Sequence, residues 1–145
     1  MLDSHPQTAA VAACLVAEKD RLRFLPHYFG SRFFMRGESL VYAWLRDLCP
    51  SYDGGFWQYH ELTNGGFYMA PDLGCKLSFK VDGNGFSGDM SADAAGIVVT
   101  LFALSQLAAE AAGTDAADAL IDRFYFLREF AHGHAEAGAI FAAID

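Results

Sequence analysis

The sequence predicts an α+β fold, in which a small antiparallel β-sheet of about three to four strands, arranged as two hairpins, is flanked by about four to five α-helices. The stretch from Gly54 to Asp93 is rich in glycine and aromatic residues, a composition typical of strands joined by sharp turns. Apolar residues at helical spacing lie on both sides of this stretch. Because helices precede and follow the strands and do not alternate with them, the pattern argues against a parallel βαβ sheet.

Helical propensity dominates the start of the chain. Residues 7–20 are rich in alanine, which predicts a helix. Residues 22–35 contain Pro26 and several phenylalanines, and we interpret them as an ordered apolar connector. A second helix is predicted over 38–49, where apolar residues repeat along one face until Pro50 ends the pattern.

The dipeptide Asn64-Gly65 predicts the first hairpin, with a two-residue loop between its strands. This register pairs Leu62 with Phe67 and Tyr59 with Ala70, and paired residues share a face of the sheet. One face should therefore carry Leu62, Phe67 and Met69 with His60, and the other Trp57, Tyr59 and Tyr68 with Glu61.

The second hairpin follows from alternation of apolar and polar residues over 75–81, a pattern typical of a half-buried strand. Its turn lies within 82–84, and two registers remain open, with a loop at 82–83 or at 83–84. Both registers place Phe86 on the face of Phe79, so the predicted core is the same in either case.

Three helices are predicted after the hairpins. Ser91 is a favourable N-cap for a helix over 92–112, which is apolar nearly all round and should be central and buried. Gly113 should end it. Thr114 or Asp115 should cap a second helix that reaches about His132, and a short last helix should occupy 134–144. With no internal repeat or long linker, residues 1–145 are expected to form a single domain.

The charge of −8 is unevenly distributed. Residues 1–80 are neutral, whereas residues 81–145 hold ten acids and only two bases, Arg123 and Arg128. A protein that binds nucleic acid directly needs excess Lys and Arg to displace counterions, so we expect no such binding.

The sequence also indicates a compartment. Three cysteines without a C-x-x-C spacing suggest reduced thiols. The start of the chain lacks a basic residue before an apolar run, and the uncharged stretch 94–109 is too short and too polar to span a bilayer. We expect a cytoplasmic monomer without membrane association.

Three patterns resemble sites of known chemistry, and each has a simpler explanation. The glycines Gly83, Gly85 and Gly88 match a dinucleotide-binding spacing, but no second parallel strand follows, so a hairpin explains them. His132 and His134 lack a third metal ligand and suit a helix end. Neighbouring strand residues such as His60 and Glu61 point to opposite faces. We therefore predict no catalytic, cofactor-binding or metal-binding residues.

Three features are candidates for contact with a partner. Asp115, Asp118, Asp122 and Glu129 fall on one helix face without an answering lysine, which suggests either a solvated face or a docking surface for a basic partner. Trp57, Tyr59 and Tyr68 form either core or an aromatic contact site, depending on whether their sheet face is covered. Asp145 places an anion where the helix dipole disfavours it, which indicates either a frayed end or a functional role.

Four runs of sequence together resemble the ArdB/KlcA antirestriction family. They are Arg23–Pro26 with Phe29-Gly30, Arg36–Glu38 with Leu40–Tyr42 and Trp44, Asn64–Pro71, and Gly83–Phe86 leading to Met90–Ile97. The resemblance covers residues 21–145 and leaves 1–20 outside its motifs. It implies a small bacterial protein of mobile elements, such as plasmids, that protects incoming DNA from Type I restriction by an indirect route and without known catalytic residues.

Three hypotheses follow for the function. The first is a non-enzymatic interaction protein that binds a host protein linked to Type I restriction, with no cofactor. The second is a direct acidic mimic of DNA that binds the restriction enzyme. The third is an unrecognised small enzyme, which would need a concave pocket with convergent, pKa-shifted groups.

Overall fold

The computed structural model describes residues 10–145 and confirms an α+β fold, although its strands form two sheets and not one. A three-stranded antiparallel sheet has the order β1-β2-β3, and β4 and β5 form a separate hairpin. The elements are β1 (Ala13–Leu15), a 3-10 turn (Glu18–Asp20), α1 (Arg21–Phe29), α2 (Phe34–Leu48), β2 (Trp57–Leu62), β3 (Phe67–Pro71), β4 (Leu77–Val81), β5 (Phe86–Met90), α3 (Ala92–Glu110), α4 (Ala117–His132) and α5 (Ala137–Ile144).

The helix predicted over 7–20 is wrong for the residues described. Residues 13–15 form strand β1, in which Ala13 pairs with Leu62 and Leu15 with His60. Even the helix propensity of alanine is a small free energy per residue, and here the backbone gains hydrogen bonds to β2. The first nine residues of the chain lie outside the described part.

The connector predicted over 22–35 is also wrong, because residues 21–29 form helix α1 with Pro26 inside it. The proline removes the hydrogen bond to the carbonyl of Leu22, and Leu22 is 92% exposed, so water can satisfy that carbonyl. Buried Phe24, Leu25, Tyr28 and Phe29 form the inner stripe of the helix and outweigh the cost of the proline.

Helix α2 begins at Phe34, four residues before the predicted start, and carries Gly37 in its first turns. A Cβ at Gly37 would lie 2.6 Å from the ring of Phe29, so the glycine permits close packing of α1 on α2. The predicted apolar stripe is confirmed, with Leu40, Val41, Leu45 and Leu48 buried.

The first hairpin has its turn at the predicted place but in a register shifted by one residue. Three residues, 63–65, separate Leu62 from Gly66, whose carbonyl accepts the Leu62 N–H at 2.9 Å. Gly65, at φ +94°, adopts the left-handed conformation that such a loop requires. The observed pairs are Tyr59 with Met69 and His60 with Tyr68, so Tyr68 lies on the face opposite Trp57 and Tyr59.

Contacts with α4 hold this loop. The side-chain amide of Asn64 donates to the Phe126 carbonyl at 2.8 Å, and the guanidinium of Arg123 donates to the Gly65 carbonyl. Because these partners lie about sixty residues away in sequence, local turn preference alone does not decide the register.

The second hairpin takes one of the two predicted registers. Val81 pairs with Phe86, as expected for the loop at 83–84, and residues 82–85 form the connection. Phe86 therefore shares the face of Phe79 and Val81, as predicted. The glycines of the dinucleotide-like pattern belong to this hairpin.

Helix α3 is the centre of the core, as predicted. The Ser91 hydroxyl caps it by accepting the Ala94 N–H at 3.1 Å, and most of the helix is buried. Among the described residues this helix alone has the length and composition to cross a membrane, but its burial is that of a core helix. The hydroxyl of Thr100, which is fully buried, accepts the Met69 N–H at 3.2 Å. This bond provides a partner for a backbone donor at the outer edge of β3.

Helices α4 and α5 begin later than predicted. Thr114 and Asp115 do not cap α4, because the Thr114 hydroxyl accepts the N–H of Ala116 within the turn that precedes the helix. Helix α5 begins after His134 and Glu136, whose side chains are engaged with the start of α3.

Helix α3 lies so close to β3 that Gly96 admits no side chain. A Cβ there would lie 2.5 Å from the Cα of Ala70 and would overlap the Met69 carbonyl oxygen. We expect Gly96→Ala to lower the free energy of unfolding by about 3 kcal/mol, because neither backbone can yield without disturbing the core. Urea unfolding measures this. Gly138→Ala in α5, where a Cβ meets nothing within 4 Å, is the control and should be neutral or slightly stabilising; equal stability of both variants contradicts the close approach.

Candidate interaction surface

The outer face of α4 carries both acids and apolar side chains. Asp118, Asp122 and Glu129 are exposed, and between them Ile121 is 42% and Tyr125 61% exposed. At 100° per residue these five positions fall within about 100° of the helix circumference. Asp115 is exposed in the turn just before the helix. We call these six residues the acidic face.

The two basic residues of the C-terminal half are both turned away from the acidic face. Arg123 reaches the Gly65 carbonyl, and its guanidinium lies 4.9 Å from the centre of the Tyr28 ring. Arg128 lies 3.6 Å from the Asp145 carboxylate. Within residues 10–145, Asp118 and Asp122 therefore have no cation within 4.0 Å, and their charges remain uncompensated.

Glu129 has a partial partner, because its carboxylate accepts a hydrogen bond from the Asn64 side chain at 2.9 Å. This contact joins the end of the acidic face to the tip of the first hairpin. The hairpin tip and the outer face of α4 consequently form one continuous surface.

Ile121 and Tyr125 were not predicted from the sequence. Both lie three or four positions from the predicted acids, so the helical spacing alone would have placed them on the same face. Apolar and aromatic side chains surrounded by charge are typical of the energetic centre of a protein interface. The structure thus brings the four predicted acids together with two exposed apolar side chains that were not predicted.

The three aromatic candidates are wrong as surface contacts. Trp57, Tyr59 and Tyr68 are 5%, 7% and 2% exposed, and the shifted register puts Tyr68 on the other face. Tyr59 stacks on Phe24 with ring centres 4.5 Å apart, and burial raises the pKa of its hydroxyl. All three side chains lie in the core, but they do not form one cluster on a single sheet face.

Asp145 has a structural partner. Its backbone N–H donates to the Phe141 carbonyl at 2.9 Å, so the chain remains helical to its end, and its side chain faces Arg128. The guanidinium of Arg128 also lies 4.9 Å from the ring centre of Phe141. An exposed pair of this kind contributes little free energy, but it accounts for an anion at this helix end.

Comparison with known proteins identifies the family. The antirestriction protein family matches residues 50–145. The antirestriction protein KlcA of Escherichia coli is 68% identical over 141 residues, which cover 97% of this chain and 99% of the relative. The chain belongs to the antirestriction protein family. A second KlcA of Escherichia coli is 61% identical over 137 residues, covering 93% of this chain and 94% of the relative.

A solved structure of this antirestriction family has the same fold. It comes from work on the KlcA and ArdB proteins, which are described as having a novel fold and antirestriction activity against Type I DNA restriction systems in vivo but not in vitro. It matches with a TM-score of 0.88 and 64% identity, covering 99% of this chain and 100% of the other. The family resemblance predicted from the four sequence runs is confirmed.

A cluster of titratable groups in this antirestriction protein surrounds Asp93. The Asp93 carboxylate accepts the Tyr68 hydroxyl at 2.7 Å and contacts His134 Nε2 at 2.8 Å. His134 Nδ1 accepts the Glu136 N–H at 2.9 Å, so the proton of the imidazole lies on Nε2 and points to Asp93. Burial and the bond to Asp93 raise the pKa of Tyr68 far above its usual value.

Further polar contacts extend this cluster. The Glu136 carboxylate binds both the N–H and the hydroxyl of Ser91; burial opposes ionisation of Glu136, but these bonds more than offset it and lower its pKa. His60 stacks on Tyr68 with ring centres 4.5 Å apart, and burial lowers the pKa of its imidazole.

The two histidines that were weighed as metal ligands in the sequence do not come together. His134 binds Asp93, whereas His132 stacks on Phe141, so the two imidazoles do not converge. No three metal-ligating side chains come together among residues 10–145. The polar groups satisfy one another and fasten α5 to the start of α3.

We expect Asp93→Asn to lower the free energy of unfolding by about 2 kcal/mol. Two donors, from Tyr68 and His134, converge on the carboxylate, and the amide nitrogen of asparagine would face one of them without an acceptor. Thermal or urea unfolding provides the measurement. Asp89→Asn is the control, because the Asp89 carboxylate accepts a hydrogen bond from the exposed Ser78 hydroxyl, and it should change stability by less than about 0.5 kcal/mol. A neutral Asp93→Asn would show that the network contributes no net stability.

Proposed function

We propose that this protein protects incoming mobile-element DNA from host Type I restriction-modification, as a non-enzymatic interaction protein that docks through the acidic face of α4. The observation that carries the proposal is the pairing of uncompensated carboxylates, Asp118 and Asp122, with exposed Ile121 and Tyr125. An aromatic anchor supplies binding free energy, and the surrounding charge selects a basic partner.

An indirect route fits the behaviour of the relatives. KlcA and ArdB act against Type I systems in vivo but not in vitro. A cellular component that purified reactions lack explains such a difference, and for this chain we infer a basic host protein linked to restriction in the cytoplasm. The partner should carry a positive patch with an apolar recess into which the Tyr125 ring fits.

Direct mimicry of DNA is the weaker alternative because the charge density is too low. B-DNA carries one phosphate charge per roughly 1.7 Å of its axis. Helix α4 has sixteen residues and is therefore about 24 Å long, so imitation would need on the order of fourteen charges. The acidic face offers four, and two large apolar side chains interrupt them.

An enzymatic role draws little support from the polar cluster. Tyr68, Asp93 and His134 are one another's hydrogen-bond partners, and their bonds join β3, α3 and the turn before α5. A nucleophile and base poised for a substrate would instead need an open position between them. We therefore assign these residues a structural role.

Neutralising the acidic face should weaken protection without unfolding the protein. The triple variant Asp118→Asn, Asp122→Asn and Glu129→Gln keeps side-chain size and leaves an acceptor for Asn64. We expect protection to fall by about tenfold, because complementary charge is lost while the helix remains intact. Efficiency of plating of unmodified phage on a restricting strain provides the measurement.

The control makes the same change in net charge elsewhere. Asp47, Asp72 and Asp82 are exposed and lie outside the acidic face, so their conversion to asparagine should leave protection unchanged. Equal loss of protection in both triple variants would show that protection depends on net charge and not on the acidic face. Salt-sensitive inhibition of a purified Type I enzyme by the wild type would instead favour direct mimicry.

Tyr125→Ala should reduce protection more than any single neutralisation on the acidic face. The ring is 61% exposed and its removal leaves the core intact, so a loss arises from the interface. Truncation of an aromatic anchor costs about 2 kcal/mol or more, equivalent to roughly thirtyfold in affinity. The same plating assay measures it, with far-UV circular dichroism as the check on folding. Tyr125→Phe should retain most protection; full protection by Tyr125→Ala removes this residue from the proposed interface.

A further inference from the structure

Two cavities adjoin at Arg21 and Phe56 and form one groove, which we call the arginine groove. The first has a volume of about 520 Å³ and the second about 700 Å³. Rings of Tyr42, Tyr52 and Trp57 line the first together with Arg46, and Leu15 and Leu22 line the second. None of these residues belongs to the acidic face of α4.

Arg21 is held in place by stacking and not by an ion pair. The central carbon of its guanidinium lies 4.1 Å from the ring centre of Tyr59 and 4.5 Å from that of Phe56. Within residues 10–145, neither Arg21 nor Arg46 has a carboxylate within 4.0 Å, although Asp53 and Glu18 also line the groove. Two guanidinium groups are therefore available to bind an incoming carboxylate.

Tyr52 adds a neutral donor to this end of the groove. Its hydroxyl oxygen accepts the indole N–H of Trp57 at 2.8 Å. The described residues provide no acceptor for the hydroxyl proton, which can therefore be donated to a ligand.

The other end of the groove meets the outer edge of β1. Hydrogen bonds to β2 are made by alternate residues, as shown by the Val16 N–H on the Tyr59 carbonyl at 2.9 Å and the Thr63 N–H on the Ala12 carbonyl at 3.0 Å. The backbone groups of Ala13 and Leu15 consequently point away from β2. All three residues of β1 are exposed, so this edge can pair with a further strand.

Exposed apolar side chains line the second cavity beside β1. Leu15 is 57%, Phe56 60% and Leu22 92% exposed. These three side chains line the second cavity together with Arg21, which also lines the first cavity with Arg46.

We propose that the arginine groove binds an extended acidic segment of a partner protein. The segment pairs with the outer edge of β1, covers Leu15 and Leu22 with an apolar side chain, and directs a carboxylate to Arg21 and Arg46. Pairing with an exposed edge provides affinity through the backbone, and the side-chain contacts provide specificity. A nucleic acid fits less well, because the neutral N-terminal half and the overall charge of −8 offer no counterion release to drive its binding.

Defined probes test the proposal with the full-length protein. The first is a fluorescent octapeptide of alternating threonine and valine that contains one leucine followed by two glutamates. The second replaces both glutamates with glutamine, and the third is an oligothymidylate of similar length. We expect the acidic peptide to bind at least about tenfold more tightly than the neutral one in fluorescence anisotropy. The reason is that the neutral peptide has no carboxylate to form charge-assisted bonds with the arginines.

Substitutions locate the site. Arg21→Gln and Arg46→Gln should each remove most of the preference for the acidic peptide, whereas Arg32→Gln, an exposed arginine outside the groove, should retain it. Tighter binding of the oligothymidylate than of the acidic peptide would overturn the proposal in favour of nucleic acid. No binding by either peptide at millimolar concentration, equal binding of both, or full binding by Arg21→Gln would also overturn it.

Amide hydrogen exchange tests the strand pairing separately. Bound acidic peptide should slow exchange at the amides of Ala13 and Leu15, which face outward. The Val16 amide, already bonded to β2, should change little and provides an internal reference. Unchanged exchange at Ala13 and Leu15 in the peptide complex would overturn pairing at this edge. Neither outcome depends on the acidic face, so the two proposals succeed or fail separately.

Discussion

The close approach of α3 to β3 at Gly96 is the constraint on which the rest of the structure depends. The missing side chain brings the helix against the backbone of Met69 and Ala70. That proximity puts Thr100 within reach of the Met69 N–H and places Asp93, one helical turn before Gly96, next to the Tyr68 hydroxyl. Asp93 in turn binds His134 and fixes the turn between α4 and α5. A single small residue thus sets the distance at which both the sheet and the last two helices assemble around the core.

The same packing produces the acidic face. Helix α4 directs Leu120 and Leu127 inward, and its two arginines are used within the molecule. Arg123 binds the hairpin loop and Arg128 the end of α5, so neither can neutralise the outer carboxylates. The concentration of negative charge is therefore a result of tertiary structure as well as of composition. Composition alone does not reveal it, because two cations lie among these acids in the sequence.

Sequence patterns predict the helices and strands best where the side chains of a few neighbouring residues determine the local structure. The cap at Ser91, the buried helix α3 and the alternating strand β4 follow from side-chain properties over a few residues, and all three are confirmed. The register of the first hairpin does not follow, because Arg123 and Asn64 fix the loop through contacts far along the chain. Strand β1 was missed for the same reason: its pairing with β2 outweighs a weak helical propensity.

The same rule applies to the proposed contact surfaces. The acids of α4 could be predicted because helical spacing and charge are visible in the sequence. The predicted register of the first hairpin, which differs from the observed one by one residue, put Tyr68 on the wrong face. The burial of Trp57 and Tyr59 depends on packing against Tyr42 and Phe24, which are distant in the sequence. The arginine groove could not be predicted, because it needs α1, which contains a proline, and strand β1, which sequence propensity favoured as a helix.

The position of the arginine groove bears on how a small protein of this family could act on a large system. The groove lies at one edge of the three-stranded sheet and the acidic face on the outside of α4, and they share no residue. Their chemistries differ, since the groove offers two guanidinium groups beside Asp53 and Glu18, whereas the acidic face offers carboxylates without a cation among the described residues within 4.0 Å of Asp118 or Asp122. A single flat partner of uniform charge cannot satisfy both, so simultaneous use of the two surfaces requires either two partners or one partner with segments of both signs. A protein that joins two components loses its effect when either is removed, which is a physical route to activity that depends on the cell and disappears with purified parts.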